Sequence, residues 1–256
     1  YGGNTSCIEV RPAADHLIVL DAGSGLRPLG LAVTPEVRRI DVLLTHLHMD
    51  HIQGLGFFAP FFSGDAEVAI WGPPSITASL RQRLTRYLSP PLFPVELRDF
   101  AARPTLHDAP THESVRLGSV EVSAALILHP GPTVGYRLTS PEGTLAYLPD
   151  HEPALGARKS LEPPPWLSGG GLAEGVDLLI HDAQYTAEEY AQRIGWGHST
   201  LDLAVTFAQL TGARRLVTFH HDPGHDDAML DAAAQRLPVP DGLTVEPGLE
   251  GATFVV

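Results

Sequence analysis

Cysteine and long apolar runs are both scarce in this sequence. Its 256 residues include one cysteine, Cys7, which excludes an internal disulfide. No apolar run approaches the roughly 18 residues that suggest a membrane span, and no signal-peptide pattern is present. We therefore expect a soluble, cytoplasmic protein with no membrane partner. The chain starts at Tyr1 in a glycine-rich turn without an initiator methionine, so we also expect a short N-terminal piece to be missing.

Positive charge is scarce as well. The chain has 17 Lys and Arg against 30 Asp and Glu, which gives a formal net charge of -13 at pH 7. Binding along a nucleic acid relies on clustered Lys and Arg that neutralise phosphates. We therefore expect no long nucleic acid among the partners.

Repeats and low-complexity segments are absent. The 25 glycines and 23 prolines are scattered between apolar runs, as loop punctuation is. With 43% hydrophobic residues, a chain of this length can bury one substantial core. Residues 1–256 are therefore predicted to form a single domain.

Short apolar runs alternate with helical patterns, which predicts an α/β fold. The first strands are predicted at residues 7–10 and 17–20. Covering helices are predicted at 76–88, 188–194 and 201–210, the last after a Ser-Thr start signal. The Pro- and Gly-rich stretch 162–171 predicts a long surface loop.

Five predicted strands run into histidine or aspartate. The residues at these ends are His46, His129, Asp150, the pair His181-Asp182, and His220. In α/β sheets the functional crevice lies beyond the strand ends, so side chains far apart in sequence can meet there. The pattern predicts a site built from strand ends.

The densest group is His46-Leu47-His48, followed by Asp50 and His51. Two imidazoles spaced two residues apart in extended backbone point to the same side and can hold one ion. A catalytic zinc site takes about three protein ligands and leaves a position for water. The candidate ligands are His46, His48, Asp50, His51, His129, Asp150 and His220. They are too many for one such ion, which predicts two ions and a shared hydroxide as nucleophile.

These motifs resemble those of the metallo-β-lactamase superfamily, over almost the whole chain. The resemblance implies a four-layer αββα sandwich with the metals at one edge of its two sheets. It implies that His46, His48 and His129 hold one ion, that Asp50, His51 and His220 hold the other, and that Asp150 bridges them. Asp50 is also assigned to the catalytic residues.

Two positions need separate comment. The motif Leu20-Asp21-Ala22-Gly23 resembles the first motif of the superfamily, in which the aspartate supports the metal loop without binding metal. In His220-His221, either histidine could be the last ligand, because strand alternation does not settle their faces. We favour His220, since it directly follows the apolar run.

Two distant motifs indicate a branch of the superfamily. The runs Ile180-His181-Asp182-Ala183 and Gly197-His198-Ser199-Thr200 resemble the paired motifs of its phosphodiesterases. These include tRNA 3′-processing endonucleases and enzymes that open small cyclic phosphodiesters. The resemblance implies that Asp182 orients His198, which protonates the leaving oxygen, an effect of about 10² to 10⁴ in rate.

The predicted substrate is a small phosphodiester, with cyclic nucleotides included. Asp182 stands where the tRNA-processing enzymes typically have Glu, and no segment has the composition of their tRNA-binding arm. A β-lactam is disfavoured, because true β-lactamases usually replace the residue at His51 or use a cysteine ligand. Redox iron chemistry is disfavoured, because flavo-diiron relatives carry Glu in place of His48.

Two alternatives stay open. A thioester or lactone hydrolase would keep every metal ligand without needing His198, and a ligand-binding or regulatory protein would keep the metals structurally. Zinc is the expected metal and manganese the alternative, because nitrogen and oxygen ligands choose weakly between divalent ions. Family members are often dimers, so a homodimer is one expected partnership.

Other polar and aromatic residues receive structural interpretations. Core packing is predicted for Phe57, Phe58, Phe61 and Phe62, and solvent exposure for His107, His112 and His151. His225 with Asp226 and Asp227 fits either a helix N-terminus or support of the metal site.

Overall fold

The computed structural model describes residues 1–156 and 166–256. The chain divides into two compact units. The N-terminal unit comprises Asn4–Pro110 and Val115–Val120, and the C-terminal unit comprises Tyr1–Gly3, Thr111–Ser114 and Glu121–Val256. The single-domain organisation expected from the length stays a prediction.

The N-terminal unit contains a five-stranded sheet of order β1-β2-β3-β4-β5. The first hairpin is antiparallel and the other pairs are parallel. The strands are β1 (Ile8–Ala13), β2 (His16–Leu20), β3 (Arg39–Leu43), β4 (Glu67–Gly72) and β5 (Thr105–Asp108). The helices are α1 (Leu26–Ala32), α2 (Met49–Ile52), α3 (Ala59–Ser63) and α4 (Leu80–Thr85), with short 3₁₀ turns at Leu55–Phe57 and Leu97–Asp99.

The second sheet has seven strands in the order β12-β11-β10-β9-β8-β7-β6. Its strands are β6 (Val115–Leu117), β7 (Val120–Leu126), β8 (Val134–Thr139), β9 (Thr144–Leu148), β10 (Leu178–Asp182), β11 (Arg215–Phe219) and β12 (Thr244–Pro247). Strands β7 to β9 are antiparallel and β9 to β12 are parallel. The helices are α5 (Gly170–Ala173), α6 (Ala187–Tyr190), α7 (Leu201–Thr211) and α8 (Asp227–Arg236).

Each unit has its own apolar core. Strand β2 is buried at every position, as expected of a strand covered on both faces, and Leu17 and Val19 pack in one cluster with Phe58 and Phe61. In the C-terminal unit, Phe207 of α7 belongs to a second cluster with core residues of the sheet. Burial of this apolar surface is the main force that holds the strands in place.

The parallel strands of the C-terminal unit bring polar residues to one sheet edge. Leu148 of β9 is level with His181 of β10, and Asp182 is level with Phe219 of β11. His220 directly follows β11, and Asp150 follows β9 after one intervening residue. The expected meeting of strand ends therefore occurs within this unit.

Several predicted boundaries need correction. The strand expected at 7–10 runs from Ile8 to Ala13, and the helix expected at 76–88 is limited to Leu80–Thr85 because Ser79 caps its start. The helix expected at 188–194 is Ala187–Tyr190. The helix expected at 201–210 is confirmed as Leu201–Thr211.

The prediction of a surface loop at 162–171 is wrong for residues 167–171. Residues 157–165 lie outside the described residues. Beyond them, Leu167 is buried and α5 begins at Gly170, so the segment packs into the core cluster of its unit. Within the described ranges, no helix has both the length and the apolar character to span a membrane.

Substitution of Thr200 tests how α7 begins. The Thr200 hydroxyl oxygen accepts a hydrogen bond of 3.1 Å from the Leu203 N–H. Thr200→Ala leaves that donor unsatisfied and should lower the free energy of unfolding by about 1 kcal/mol in urea denaturation. The exposed Gln209→Ala on the same helix is the control. Equal stability of the two variants would contradict the capping role.

Candidate metal centre

We call His46, His48, Asp50 and His51 the N-terminal ligand cluster. Its residues follow β3, and α2 begins at Met49, so Asp50 and His51 lie on the helix rather than before it. The ring centroid of His46 is 4.4 Å from that of His48 and 4.2 Å from that of His51. The Asp50 carboxylate oxygen lies 3.4 Å from Nε2 of His51. The four side chains are therefore gathered at one point of the N-terminal unit.

Asp21 orients this cluster through hydrogen bonds to His51 and Thr45. Its carboxylate lies 2.8 Å from Nδ1 of His51 and accepts from the Thr45 N–H at 2.7 Å. A carboxylate only accepts, so His51 carries its proton on Nδ1 and presents the Nε2 lone pair. The Thr45 hydroxyl also donates to Asp21, which leaves its oxygen to accept from Nδ1 of His46 at 3.1 Å. Both imidazoles thus offer Nε2 as the ligand atom.

The backbone is strained at Asp21, the residue that supports the N-terminal ligand cluster. Asp21 has a φ of 59°, a left-handed conformation that is unusual for a residue with a side chain. Gly23 follows two residues later, where a Cβ would lie 2.3 Å from the Asp50 carbonyl oxygen. The Asp-Ala-Gly motif therefore places a carboxylate and a bare backbone against the loop that carries the histidines.

We call His129, Asp150 and His220 the C-terminal ligand cluster. The Asp150 carboxylate oxygens lie 3.7 Å from Nε2 of His129 and 3.3 Å from Nε2 of His220. Nδ1 of His129 donates to the Gly197 carbonyl oxygen at 2.9 Å, so its Nε2 again carries the lone pair that a metal ligand needs. Asp150 lies between the two imidazoles, with its carboxylate 2% exposed.

The structure favours His220 over His221 as the ligand. His220 has a φ of 59°, and its Nε2 lies 3.3 Å from an Asp150 carboxylate oxygen. The His221 ring instead forms a T-shaped pair with the ring of Tyr1, at a centroid distance of 5.6 Å. Burial lowers the pKa of His221 to about 4, so it stays neutral in its pocket. Strand alternation alone could not distinguish the two.

Asp182 and His198 form a hydrogen-bonded pair. Nδ1 of His198 lies 2.7 Å from an Asp182 carboxylate oxygen. The same carboxylate accepts from the backbone N–H groups of His151, Gln184 and Ser199 at 3.0 to 3.1 Å. These donors fix the anion, and the anion fixes His198 with Nε2 facing outward.

His198 is adjacent to the C-terminal ligand cluster. Its ring stacks on that of His220, with centroids 5.3 Å apart and an angle of 11° between the planes. Ligand atoms of Asp150, His198 and His220 all lie within 4.8 Å of one another. A phosphate oxygen held beside Asp150 would therefore lie within reach of His198.

The expected exposure of His151 is wrong. His151 is fully buried, and its Nδ1 lies 2.8 Å from Nε2 of His181. Nδ1 of His181 donates to the Asp182 carbonyl oxygen, and burial lowers the pKa of His181 to about 4. Two neutral histidines in a T-shaped arrangement, with ring centroids 5.0 Å apart, are thus hydrogen-bonded to each other and to Asp182. Sequence reasoning treated His151 as a polar loop residue because its burial depends on packing against Phe207.

The remaining predictions have mixed outcomes. His107 and His112 are exposed as expected, and Phe58 and Phe61 are core residues. Phe57 and Phe62 are exposed, which contradicts their predicted core role. Asp226 caps α8, whereas His225 bonds to Glu189, so the helix interpretation holds for the aspartate.

Sequence reasoning also missed Thr45 and Glu152. Thr45 joins Asp21 to His46, but a threonine between a strand and a histidine carries no distinctive signal. Glu152 is an acid that is 1% exposed, two residues after Asp150. Its only sequence signal is its place beside a candidate ligand.

Both clusters suit divalent metal ions. Imidazole nitrogen and carboxylate oxygen are the ligands that zinc takes at catalytic sites. The orienting bonds to His51 and His129 are the kind that metal-binding histidines make through their second nitrogen. The single thiol is unsuited to this role, because burial together with Asp21 and Glu9 raises the pKa of Cys7 to about 12.

A family model described as the Beta-lactamase superfamily domain matches residues 16–221. The chain belongs to this superfamily. The metallo-beta-lactamase fold protein YhfI from Bacillus subtilis covers 95% of this chain and 89% of its own, with a TM-score of 0.67 and 19% identity. The predicted α/β fold of the metallo-β-lactamase type, with two sheets, is confirmed.

Curated relatives are similar over nearly the full length. Ribonuclease Z of Trichodesmium erythraeum is 26% identical over 91% of this chain and 84% of its own length. Ribonuclease Z of Myxococcus xanthus is 27% identical over 95% and 92%. The structure of human tRNase Z, short form, covers 94% of this chain and 89% of its own, with a TM-score of 0.63 and 21% identity.

Substitution of Asp21 tests the support of the N-terminal ligand cluster. In Asp21→Asn, an amide group replaces an oxygen that accepts from His51 or Thr45, so the imidazoles lose their orientation. Metal affinity should fall about 10- to 100-fold in a competition titration with a chromogenic chelator. Asp15→Asn, in an exposed turn, is the control. Unchanged affinity in Asp21→Asn would remove the supporting role.

Proposed function

We propose that this chain hydrolyses small phosphodiesters, cyclic nucleotides included, with His198 as the general acid. One observation carries the proposal: the hydrogen bond between Asp182 and His198, beside Asp150 and His220. At the level of enzyme class, the chain is a metal-dependent hydrolase, as its family and its relatives support.

The proposed centre holds two divalent ions, zinc by preference and manganese as the alternative. Its proposed ligands are His46, His48, Asp50, His51, His129, Asp150 and His220. Support comes from the orientation of Nε2 in each cluster and from Asp150 between two imidazoles. When bound, such ions activate water and neutralise the charge of a phosphate.

His198 supplies the proton that the departing alkoxide needs. Its Nδ1–H is held by Asp182, so the transferable proton is the one on Nε2. Asp182 accepts three backbone N–H groups and cannot turn away from the ring. It also stabilises the charged imidazolium from which the proton leaves. The protonated leaving group then departs as an alcohol, and His198 is left neutral.

This pair favours a phosphodiesterase over a thioesterase. A thiolate leaves readily without a proton, whereas an alkoxide does not, so a positioned acid favours oxygen leaving groups. The His198 side chain is only 12% exposed and is held by the carboxylate of Asp182. A histidine that serves only as a polar surface residue needs neither this burial nor this partner. A thioester or lactone hydrolase remains the alternative enzyme.

The size of the substrate is a separate question. The relatives are named ribonuclease Z, which makes RNA the rival substrate and is at odds with the expectation that no long nucleic acid is a partner. Against RNA stands the net charge of -13, because a field of that sign repels a polyanion. A small diester carries one phosphate and escapes most of that repulsion.

A homodimer and a cytoplasmic location are part of the proposal.

A substrate panel tests the reaction class. The purified protein, loaded with zinc or with manganese, is assayed on bis(p-nitrophenyl) phosphate, 3′,5′- and 2′,3′-cyclic nucleotides, a thioester, a lactone and a tRNA precursor. We expect the highest kcat/KM on a small diester. Faster turnover of the thioester or lactone would contradict the proposed reaction class. Faster cleavage of the tRNA precursor would contradict the proposal that the substrate is small.

Removal of the imidazole tests the acid. His198→Ala should lower kcat by about 10² to 10⁴ on a diester with an alkyl leaving group, and much less on the nitrophenyl diester. Bound metal, measured by elemental analysis, should stay at the wild-type level near two ions per chain. The exposed His112→Ala is the control for loss of a histidine. Wild-type turnover of the alkyl diester, or loss of metal, would overturn the assignment.

A further inference from the structure

Glu152 is a buried carboxylate that the reaction as described does not use. It is 1% exposed and lies two residues after Asp150. Its oxygens accept from the Tyr190 hydroxyl and from the N–H groups of Gly156, Gly195 and Gly197, at 2.5 to 3.3 Å. A buried charge is tolerated when hydrogen bonds of this kind replace its hydration.

The turn that receives Glu152 carries two functional contacts. The carbonyl oxygen of Gly197 accepts from Nδ1 of His129, and the next residue is His198. Gly195 and Gly197 have φ values of 85° and 87°, a conformation open mainly to glycine. Their N–H groups converge on one anion, as in the anion-binding concavities that short backbone turns form.

The backbone of Glu152 extends the same connection. Its N–H donates to the Leu128 carbonyl oxygen at 3.0 Å, immediately before His129. One residue therefore joins the segment of Asp150, the segment of His129 and the turn of His198. The turn also packs tightly, because a Cβ on Gly197 would lie 2.4 Å from Nδ1 of His129.

We propose that Glu152 is a positioning residue that sets His129 and His198 together through the turn at residues 195–197. The carboxylate holds the Gly197 N–H, and with it the backbone on both sides of the Gly197 Cα, so that the Gly197 carbonyl keeps the His129 proton on Nδ1 and leaves Nε2 to the metal. The Gly197 carbonyl belongs to the peptide that leads into His198, whose ring must reach both Asp182 and the leaving oxygen. Metal binding and proton donation thus depend on one buried anion.

The inference rests in part on the proposed function, because the proton donation belongs to that reaction. The metal-ligand part does not depend on the substrate. The test therefore includes readouts that need no turnover.

The test compares Glu152→Gln with wild type. The substituted amide has one acceptor oxygen where the carboxylate has two, so at least one of the N–H groups that Glu152 accepts loses its acceptor, and the turn should loosen while side-chain volume is kept. In metal-free protein, ¹⁵N NMR of the histidine rings should show the His129 Nδ1 proton exchanging with solvent at least about tenfold faster. Zinc affinity should fall about tenfold or more, and kcat on the alkyl diester should fall with little change in KM.

Two further variants separate positioning from general destabilisation. Tyr190→Phe removes a donor to Glu152 but keeps both bonds to the turn, so it should lower Tm while leaving the His129 proton exchange as in wild type. Glu188→Gln alters an exposed acid nearby and should match wild type throughout. If Glu152→Gln is unfolded, Glu152→Asp, with its shorter reach, is measured in its place.

The outcomes distinguish the two proposals. Faster His129 exchange and weaker zinc binding in the Glu152 variant support the positioning role even if no phosphodiester is turned over, in which case only the proposed function fails. Wild-type exchange and zinc affinity in that variant overturn the positioning role even if the protein is an active phosphodiesterase. Equal effects in Tyr190→Phe and in the Glu152 variant also overturn it.

Discussion

The candidate site depends on one recurring interaction: an oxygen acceptor takes the proton on Nδ1 of an imidazole and leaves Nε2 to act. Asp21 does this for His51, Asp182 for His198, and the Gly197 carbonyl for His129. A neutral imidazole has one proton and one lone pair, so fixing the proton fixes which nitrogen can bind metal or carry a proton to substrate. The candidate reactive atoms are thereby oriented by groups bonded to the opposite nitrogen of each ring.

Those acceptors must themselves be immobile, and the fold makes them so. Asp21 directly follows β2 and Asp182 ends β10, both buried strands. Asp21 and His220 also hold left-handed backbone conformations that cost of order 1 to 3 kcal/mol each. Burial of the strands over the two cores supplies the stability that offsets this strain. Strained backbone conformations are concentrated at functional sites in proteins, and the strain at Asp21 and His220 fits this pattern.

The chemistry of the site was largely readable from the sequence. Ligand-type residues in the pattern of His46, His48, Asp50 and His51, placed after an apolar strand, already favour a metal site because few other roles need so many donors in six residues. The pair Asp182 and His198 was also predicted, although sixteen residues separate them. Helix limits were less predictable, because apolar spacing continues past the residues at which the helices begin and end: α4 begins only after the Ser79 cap, and α6 ends at Tyr190.

What the sequence determined by itself is the type of chemistry, since residue identity sets which groups can bind metal or move a proton. Tertiary structure decided which atoms are presented. The preference for His220 over His221 follows from which ring lies beside Asp150, and the burial of His151 follows from packing against α7. The contacts of Glu152 join residues up to 45 positions apart. No local pattern encodes such contacts, because they exist only once distant strands and turns have packed together.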